Sequence, residues 1–140
     1  MSQKGTGWAA RHLRGARSIM VVDDEVEMRR AVSAFLASAY FEFDVIEAED
    51  GEAALERLRD DLALIIADVN MPRLDGFELT RRLRDDPDLE RYRALPVILL
   101  TARDTEDDLE QSWDAGSTLH VPKPFEIDRL HRAMRSVLEP

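Results

Sequence analysis

The sequence predicts an α/β fold, a doubly wound sheet of five parallel strands with helices on both faces. Three observations carry this. Short apolar runs alternate with stretches of helical spacing five times over, the pattern of successive strand–helix units. The run Ala63-Leu64-Ile65-Ile66-Ala67 is unbroken rather than alternating, as a strand buried on both faces is. That run ends on Asp68, and Pro72 and Gly76 then mark a loop. Because crossovers are right-handed, all strand C-terminal ends share one rim.

The elements follow in order. Ile19-Met20-Val21-Val22 is the first strand, ending in Asp23-Asp24-Glu25. From Val26 the spacing turns helical, with Val26, Ala31, Val32, Phe35, Leu36 and Ala39 along one stripe. Phe43-Asp44-Val45-Ile46 is the second strand, closed by Glu49-Asp50-Gly51, and Ala53, Ala54, Leu55 and Leu58 mark a short helix. The Asp68 strand comes third, followed by a helix from about Asp75 to Arg84 that Asp85-Asp86-Pro87-Asp88 breaks. Pro96-Val97-Ile98-Leu99-Leu100 is the fourth strand and ends in Thr101-Ala102. A helix over 105–115, with Leu109 and Trp113 one turn apart, stops at Gly116. Leu119-His120-Val121 is the fifth strand, before Pro122-Lys123-Pro124-Phe125, and Ile127, Leu130, Met134 and Val137 define the last helix.

A chain of 140 residues suits one domain, with 18–140 as its body and 1–17 as a mobile basic tail. The tail holds Lys4, Arg11, Arg14 and Arg17 and no acid; with Trp8 and Leu13 it could instead form a short amphipathic helix against a partner or an anionic surface. The body then carries 15 basic and 29 acidic side chains, a net −14. Such a body repels nucleic-acid backbones and suits cations and basic partner surfaces. No apolar run approaches the ~20 residues needed to span a bilayer. Nothing at the start resembles a signal peptide, and there is no cysteine. The expectation is a cytoplasmic protein that contacts neither membrane nor nucleic acid.

The residues that follow the strands are Asp23 and Asp24, Asp68, Thr101 and Lys123. Each has an ordinary account: a turn aspartate at 68, helix caps at 23, 24 and 101, a solvated lysine at 123. Taken singly, those accounts are at least as good as functional ones. On one rim the set has a different meaning. Three crowded carboxylates repel and need a cation or protons. Few hard oxygen ligands with open positions suit Mg²⁺. A lysine supplies compact positive charge for phosphate oxygens, and a threonine hydroxyl can donate to another. Carboxylate nucleophile, Mg²⁺, lysine and hydroxyl make a phosphoryl-transfer site.

The chain resembles the receiver domain of bacterial two-component response regulators, of the chemotaxis-regulator type. The resemblance covers roughly residues 18–138. It rests on Val21-Val22-Asp23-Asp24-Glu25, Glu47-Ala48-Glu49-Asp50-Gly51, Asp68-Val69-Asn70-Met71-Pro72 with Asp75-Gly76, Leu99-Leu100-Thr101-Ala102 and Lys123-Pro124-Phe125. It implies the flavodoxin-like strand order 2-1-3-4-5. It also implies Asp68 as phosphoacceptor, Asp24 as a direct Mg²⁺ ligand, Asp23 as a ligand largely through water, and the Asn70 backbone carbonyl as a further one. Lys123 would contact the phosphoryl group, Thr101 would hydrogen-bond it and move as the switch, and Lys123-Pro124 would be a cis peptide. The implied donor is a histidine kinase or histidine phosphotransfer protein. The implied output is a downstream protein bound by the face of the fourth helix, fifth strand and fifth helix, by a monomer or a phosphorylation-dependent dimer. Catalysis would be limited to the domain's own phosphorylation and dephosphorylation.

His120 departs from the family, which carries Tyr or Phe three positions before the lysine. It is either an ordinary strand histidine or a weakened, pH-sensitive switch. Asn70 and Arg103 border the site, and Arg103 either shields the phosphoryl group or is simply solvated. Two rival classes remain. A phosphatase of the haloacid-dehalogenase type would want Asp-x-Asp after the first strand and a cap domain, whereas this chain has Asp23-Asp24-Glu25. A receiver-like interaction module without phosphorylation would not need the full residue set. The sequence ends at Pro140 with no output domain after the last helix, which suits a stand-alone receiver or a piece of a larger regulator.

Overall fold

The computed structural model describes residues 15–102, 110 and 116–138. It builds β1 (Ser18–Val22), α1 (Val26–Ala39), β2 (Asp44–Ala48), α2 (Gly51–Glu56), β3 (Leu62–Asp68), α3 (Gly76–Asp85), β4 (Val97–Thr101), β5 (Leu119–Pro122) and a last helix, α4 (Ile127–Leu138). The strands form one parallel sheet in the order β2-β1-β3-β4-β5, as the resemblance implies. The helix expected over 105–115, with Leu109 and Trp113, lies outside the described residues, as do Arg103 and most of the basic tail.

The unbroken apolar runs have a direct cause in the packing. On β3, Leu64 and Ile66 enter a core beneath α1 and α4, with Val32, Leu36, Leu130 and Met134. Ile65 and Ala67 enter the opposite core beneath α2 and α3, with Ala53, Ala54, Phe77, Leu79 and Leu83. A strand covered on both faces has no side that tolerates polar residues, so the two-residue period is erased. All seven residues of β3 are buried, and Asp68 closes its ladder opposite Leu100 of β4.

Several boundaries shift. The second strand runs from Asp44 to Ala48 rather than starting at Phe43, because Phe43 donates to the Tyr40 carbonyl in the turn. The short helix begins at Gly51 and ends at Glu56, leaving Leu58 beyond it. The break after α3 is itself a 3₁₀ turn, Pro87–Tyr92, with Pro87 in its first position and the Asp86 carboxylate accepting from the Asp88 N–H. The α1 stripe is narrower than its spacing suggests: Val32 and Leu36 are buried and Phe35 partly so, while Val26, Ala31 and Ala39 are exposed. Periodicity marks a helix face, but the neighbours decide how much of it is covered.

Candidate functional site

Asp68 is placed at the rim by its ladder and by one glycine. The loop after β3 turns back so that the Gly76 N–H donates to the Val69 carbonyl at 2.9 Å. A Cβ at Gly76 would sit 2.6 Å from the Asp68 carbonyl oxygen, so no other residue lets α3 start there. Asp75 and Glu78 close a reciprocal capping box at the same helix start. Asn70 lies within this loop, two residues past Asp68.

The sheet brings the expected residues together. Carboxylate oxygens of Asp23, Asp24 and Asp68 all lie within 4.8 Å of one another. Lys123 Nζ lies 2.6 Å from Asp68 Oδ1, 3.7 Å from Asp23 Oδ2 and 3.9 Å from Glu25 Oε1. Its backbone N–H donates to the Thr101 carbonyl at 2.6 Å, which ties the lysine loop to the end of β4. The Lys123-Pro124 peptide is cis. Thr101 is buried beside Asp68's strand, and His120 sits half-buried on β5 in register with Leu99.

Burial leads the electrostatics of the two inner carboxylates. Asp23 is 1% exposed. Its Oδ1 accepts from the Glu25 N–H at 2.9 Å, and its Oδ2 has no hydrogen-bond partner among the described residues. Burial, with the Asp68 charge adding to it, pushes its carboxyl up to about 6 despite that one hydrogen bond. Burial also raises Asp68, against the hydrogen bond and charge of Lys123. For Lys123 burial alone would lower the ammonium, but the hydrogen bond and charge of Asp68 outweigh it and the net shift is upward. Burial, then the nearby Arg129 charge, lowers the His120 imidazole.

These residues fit a hard divalent cation. The donors are carboxylate oxygens, one buried oxygen is orphaned and faces the cluster, and exposed Asp24 leaves one side open to water. A small cation that keeps several waters matches such a half-open set.

Two further residues, Arg29 and Arg73, support the site and carry no local sequence signal. Arg29, one turn into α1, donates from Nη1 to the Asp23 carbonyl at 2.9 Å and from Nε to Glu47 Oε1 at 2.8 Å. Arg73, at a φ of 67°, pairs with the buried carboxylate of Asp50, which also accepts from the Ala53 N–H to cap α2. A Cβ at Gly51 would stand 2.5 Å from the Leu74 carbonyl, so the loop after β3 lies directly on the start of α2. In the sequence, Arg29 and Arg73 look like solvated charges, because their partners are far along the chain.

Comparison with known proteins agrees with this fold. The family model for the response regulator receiver domain matches residues 19–135. The response regulator Rre1 of Synechocystis is 37% identical over 122 residues, 86% of this chain and 51% of that protein. The response regulator MprA of Mycobacterium ulcerans is 38% identical over 121 residues, 86% of this chain and 49% of that protein. The chain thus spans about half the length of these curated relatives. Among solved structures, the chemotaxis protein CheY4 of Vibrio cholerae superposes with a TM-score of 0.76 at 30% identity, covering 88% of this chain and 99% of that one. The receiver domain of the sensor histidine kinase PA1611 of Pseudomonas aeruginosa, solved with magnesium coordinated in its active-site cleft, superposes with a TM-score of 0.75 at 30% identity, covering 89% and 99%. No helix among the described residues is long and apolar enough to cross a membrane. With the family model matching residues 19–135 and a solved receiver domain sharing its fold, the chain belongs to the response regulator receiver domain family, a family of signalling rather than classical enzyme domains.

Proposed function

We propose that this domain accepts a phosphoryl group on Asp68 from a phosphohistidine of a histidine kinase or phosphotransfer protein. The observation that carries the proposal is the pairing of Asp68 with Lys123 at 2.6 Å inside a carboxylate cluster that fits Mg²⁺. Asp68 attacks phosphorus through a carboxylate oxygen: the P–O bond forms, the P–N bond breaks, and the imidazole leaves with a proton from solvent. Lys123 already sits against the acceptor and can neutralise charge growing on the phosphoryl oxygens. Asp23, Asp24, Asp68 and the Asn70 carbonyl would hold Mg²⁺, which neutralises the acid cluster and polarises the phosphoryl oxygens. Water later cleaves the acyl phosphate, returning phosphate and the free carboxylate. Thr101 hydrogen-bonds the new group, and His120 on the neighbouring strand repacks, so the face around β5 and the last helix changes its preferred partner by a shift in population.

Incubating the full chain with Mg²⁺ and a small acyl phosphate, then measuring intact mass, tests the proposal. Gain of one phosphoryl group, lost in Asp68→Asn, is the expected result. Multiple turnover of an added phosphomonoester would point instead to a hydrolase, and absence of any adduct to an interaction module.

A further inference from the structure

We infer that Arg29 is a positioning residue for the metal site, acting through the backbone of Asp23. The inference rests on the reading that Asp23, Asp24 and Asp68 hold Mg²⁺. The parallel ladder between β1 and β2 ends at Val22 opposite Ala48, and Asp23 is the first residue beyond it. Its N–H still donates to the Ala48 carbonyl at 3.1 Å. Its carbonyl takes Arg29 Nη1 at 2.9 Å. A buried carbonyl left unmatched costs free energy, so the guanidinium stands in for the missing rung.

The fork geometry makes this arginine hard to replace. Nε is committed to Glu47 on β2 at 2.8 Å while Nη1 holds Asp23, and the side chain is only 15% exposed. A rigid planar cation therefore links α1, β2 and the end of β1 at one point. With the N–H, the carbonyl and Oδ1 of Asp23 all engaged, its side chain has one unbonded oxygen, Oδ2, facing Asp68 and Lys123. Mg²⁺ demands near-ideal octahedral placement at short distances, so a small swing of this peptide matters more to the ion than to the fold. Loss of a group that orients a metal ligand typically weakens affinity about 10- to 100-fold.

The test is a calorimetric Mg²⁺ titration of the full chain as wild type, Arg29→Met, Arg29→Lys and Glu47→Gln, with thermal unfolding of each protein with and without Mg²⁺. Arg29→Met is expected to weaken Mg²⁺ binding at least about 10-fold and to shrink the rise in melting temperature that Mg²⁺ produces. Arg29→Lys, which keeps the charge but not the fork, is expected to fall in between. Glu47→Gln keeps an acceptor for Nε and is expected to stay within about 3-fold of wild type, well short of the loss of an orienting group. A lower metal-free melting temperature with unchanged Mg²⁺ affinity in both Arg29 variants would overturn the inference, leaving Arg29 as a brace between α1 and β2. Should Arg29→Met fail to fold, wild-type affinity in Arg29→Lys would overturn it equally. Wild-type protein that binds no Mg²⁺ would overturn the metal reading itself.

Discussion

Two aspartates at neighbouring strand ends show what separates a structural acid from a site acid. Asp23 follows β1 and Asp50 follows β2, and they are 1% and 2% exposed. The Asp50 carboxylate accepts from the Ala53 N–H on one oxygen and from Arg73 on the other. The Ala53 bond first, then Arg73, hold it below the usual carboxylate range. The Asp23 carboxylate has a single N–H donor, and burial drives it up to about 6. Similarly low exposure thus goes with opposite shifts: at Asp23 desolvation and the Asp68 charge outweigh one hydrogen bond, whereas at Asp50 the Ala53 N–H and Arg73 outweigh desolvation. Asp50 is complete without a ligand and fastens two loops together. Asp23 leaves Oδ2 without a hydrogen bond among the described residues, with Lys123 Nζ 3.7 Å away.

The Asp50 side of this contrast breaks hardest at Gly51→Ala. The new Cβ meets the Leu74 carbonyl and drives α2 away from the loop that carries Asn70. Denaturant unfolding should show a loss of up to about 3 kcal/mol, the upper end for an overpacked contact. Asp50→Ala removes the helix cap and should cost about 0.5–2 kcal/mol by the same measurement. Asp23→Asn should have the opposite sign: metal-free protein gains on the order of 1 kcal/mol, because a buried charge without enough donors is gone, while Mg²⁺ no longer stabilises it. Equal losses in Asp23→Asn and Asp50→Ala would dissolve the contrast.

The pH dependence sharpens it. Asp23 is raised from 3.8 to about 6, so its contribution to stability is present below 3.8 and is lost as pH rises through about 6. Asp50 is lowered, so its contribution is present above 3.8 and is lost as pH falls through its depressed value. Metal-free stability measured from pH 3 to 8 should therefore show an acid limb reduced by Asp50→Asn, to which Glu49 and Asp61 also contribute, and a limb near pH 6 reduced by Asp23→Asn, with the raised Asp68 contributing beside it. Protons compete with Mg²⁺ at Asp23, so Mg²⁺ affinity should strengthen as pH rises through about 6. The smallest effect is expected at His120→Tyr, within about 0.5 kcal/mol at pH 7, because burial and then Arg129 already keep the imidazole neutral there. Its consequence belongs on the output side: amide shifts of β5 on acyl-phosphate addition should differ from wild type, while Mg²⁺ affinity stays the same.

The acids, threonine and lysine were legible before any coordinates, because each stands directly after an apolar run and the runs alone dictate a parallel sheet with one shared rim. Asp68 is the clearest case: its strand, loop proline and glycine are contiguous. Arg29, Arg73 and the second role of Asp50 were not legible. Arg29 meets Glu47 across 18 positions and Arg73 meets Asp50 across 23, and neither pairing leaves a local pattern. Val26 misled for another reason: six and ten residues before Val32 and Leu36, it falls off their helical face and is exposed.

The sequence by itself determined the strand–helix alternation, the two-faced burial of β3 and the residue types at the rim, because hydrophobic periodicity and turn chemistry are short-range properties. Only the tertiary structure decided which buried carboxylate is satisfied and which is left open. That depends on what other segments of the chain deliver: Arg73 and the Ala53 N–H at Asp50, and desolvation with the Asp68 charge at Asp23.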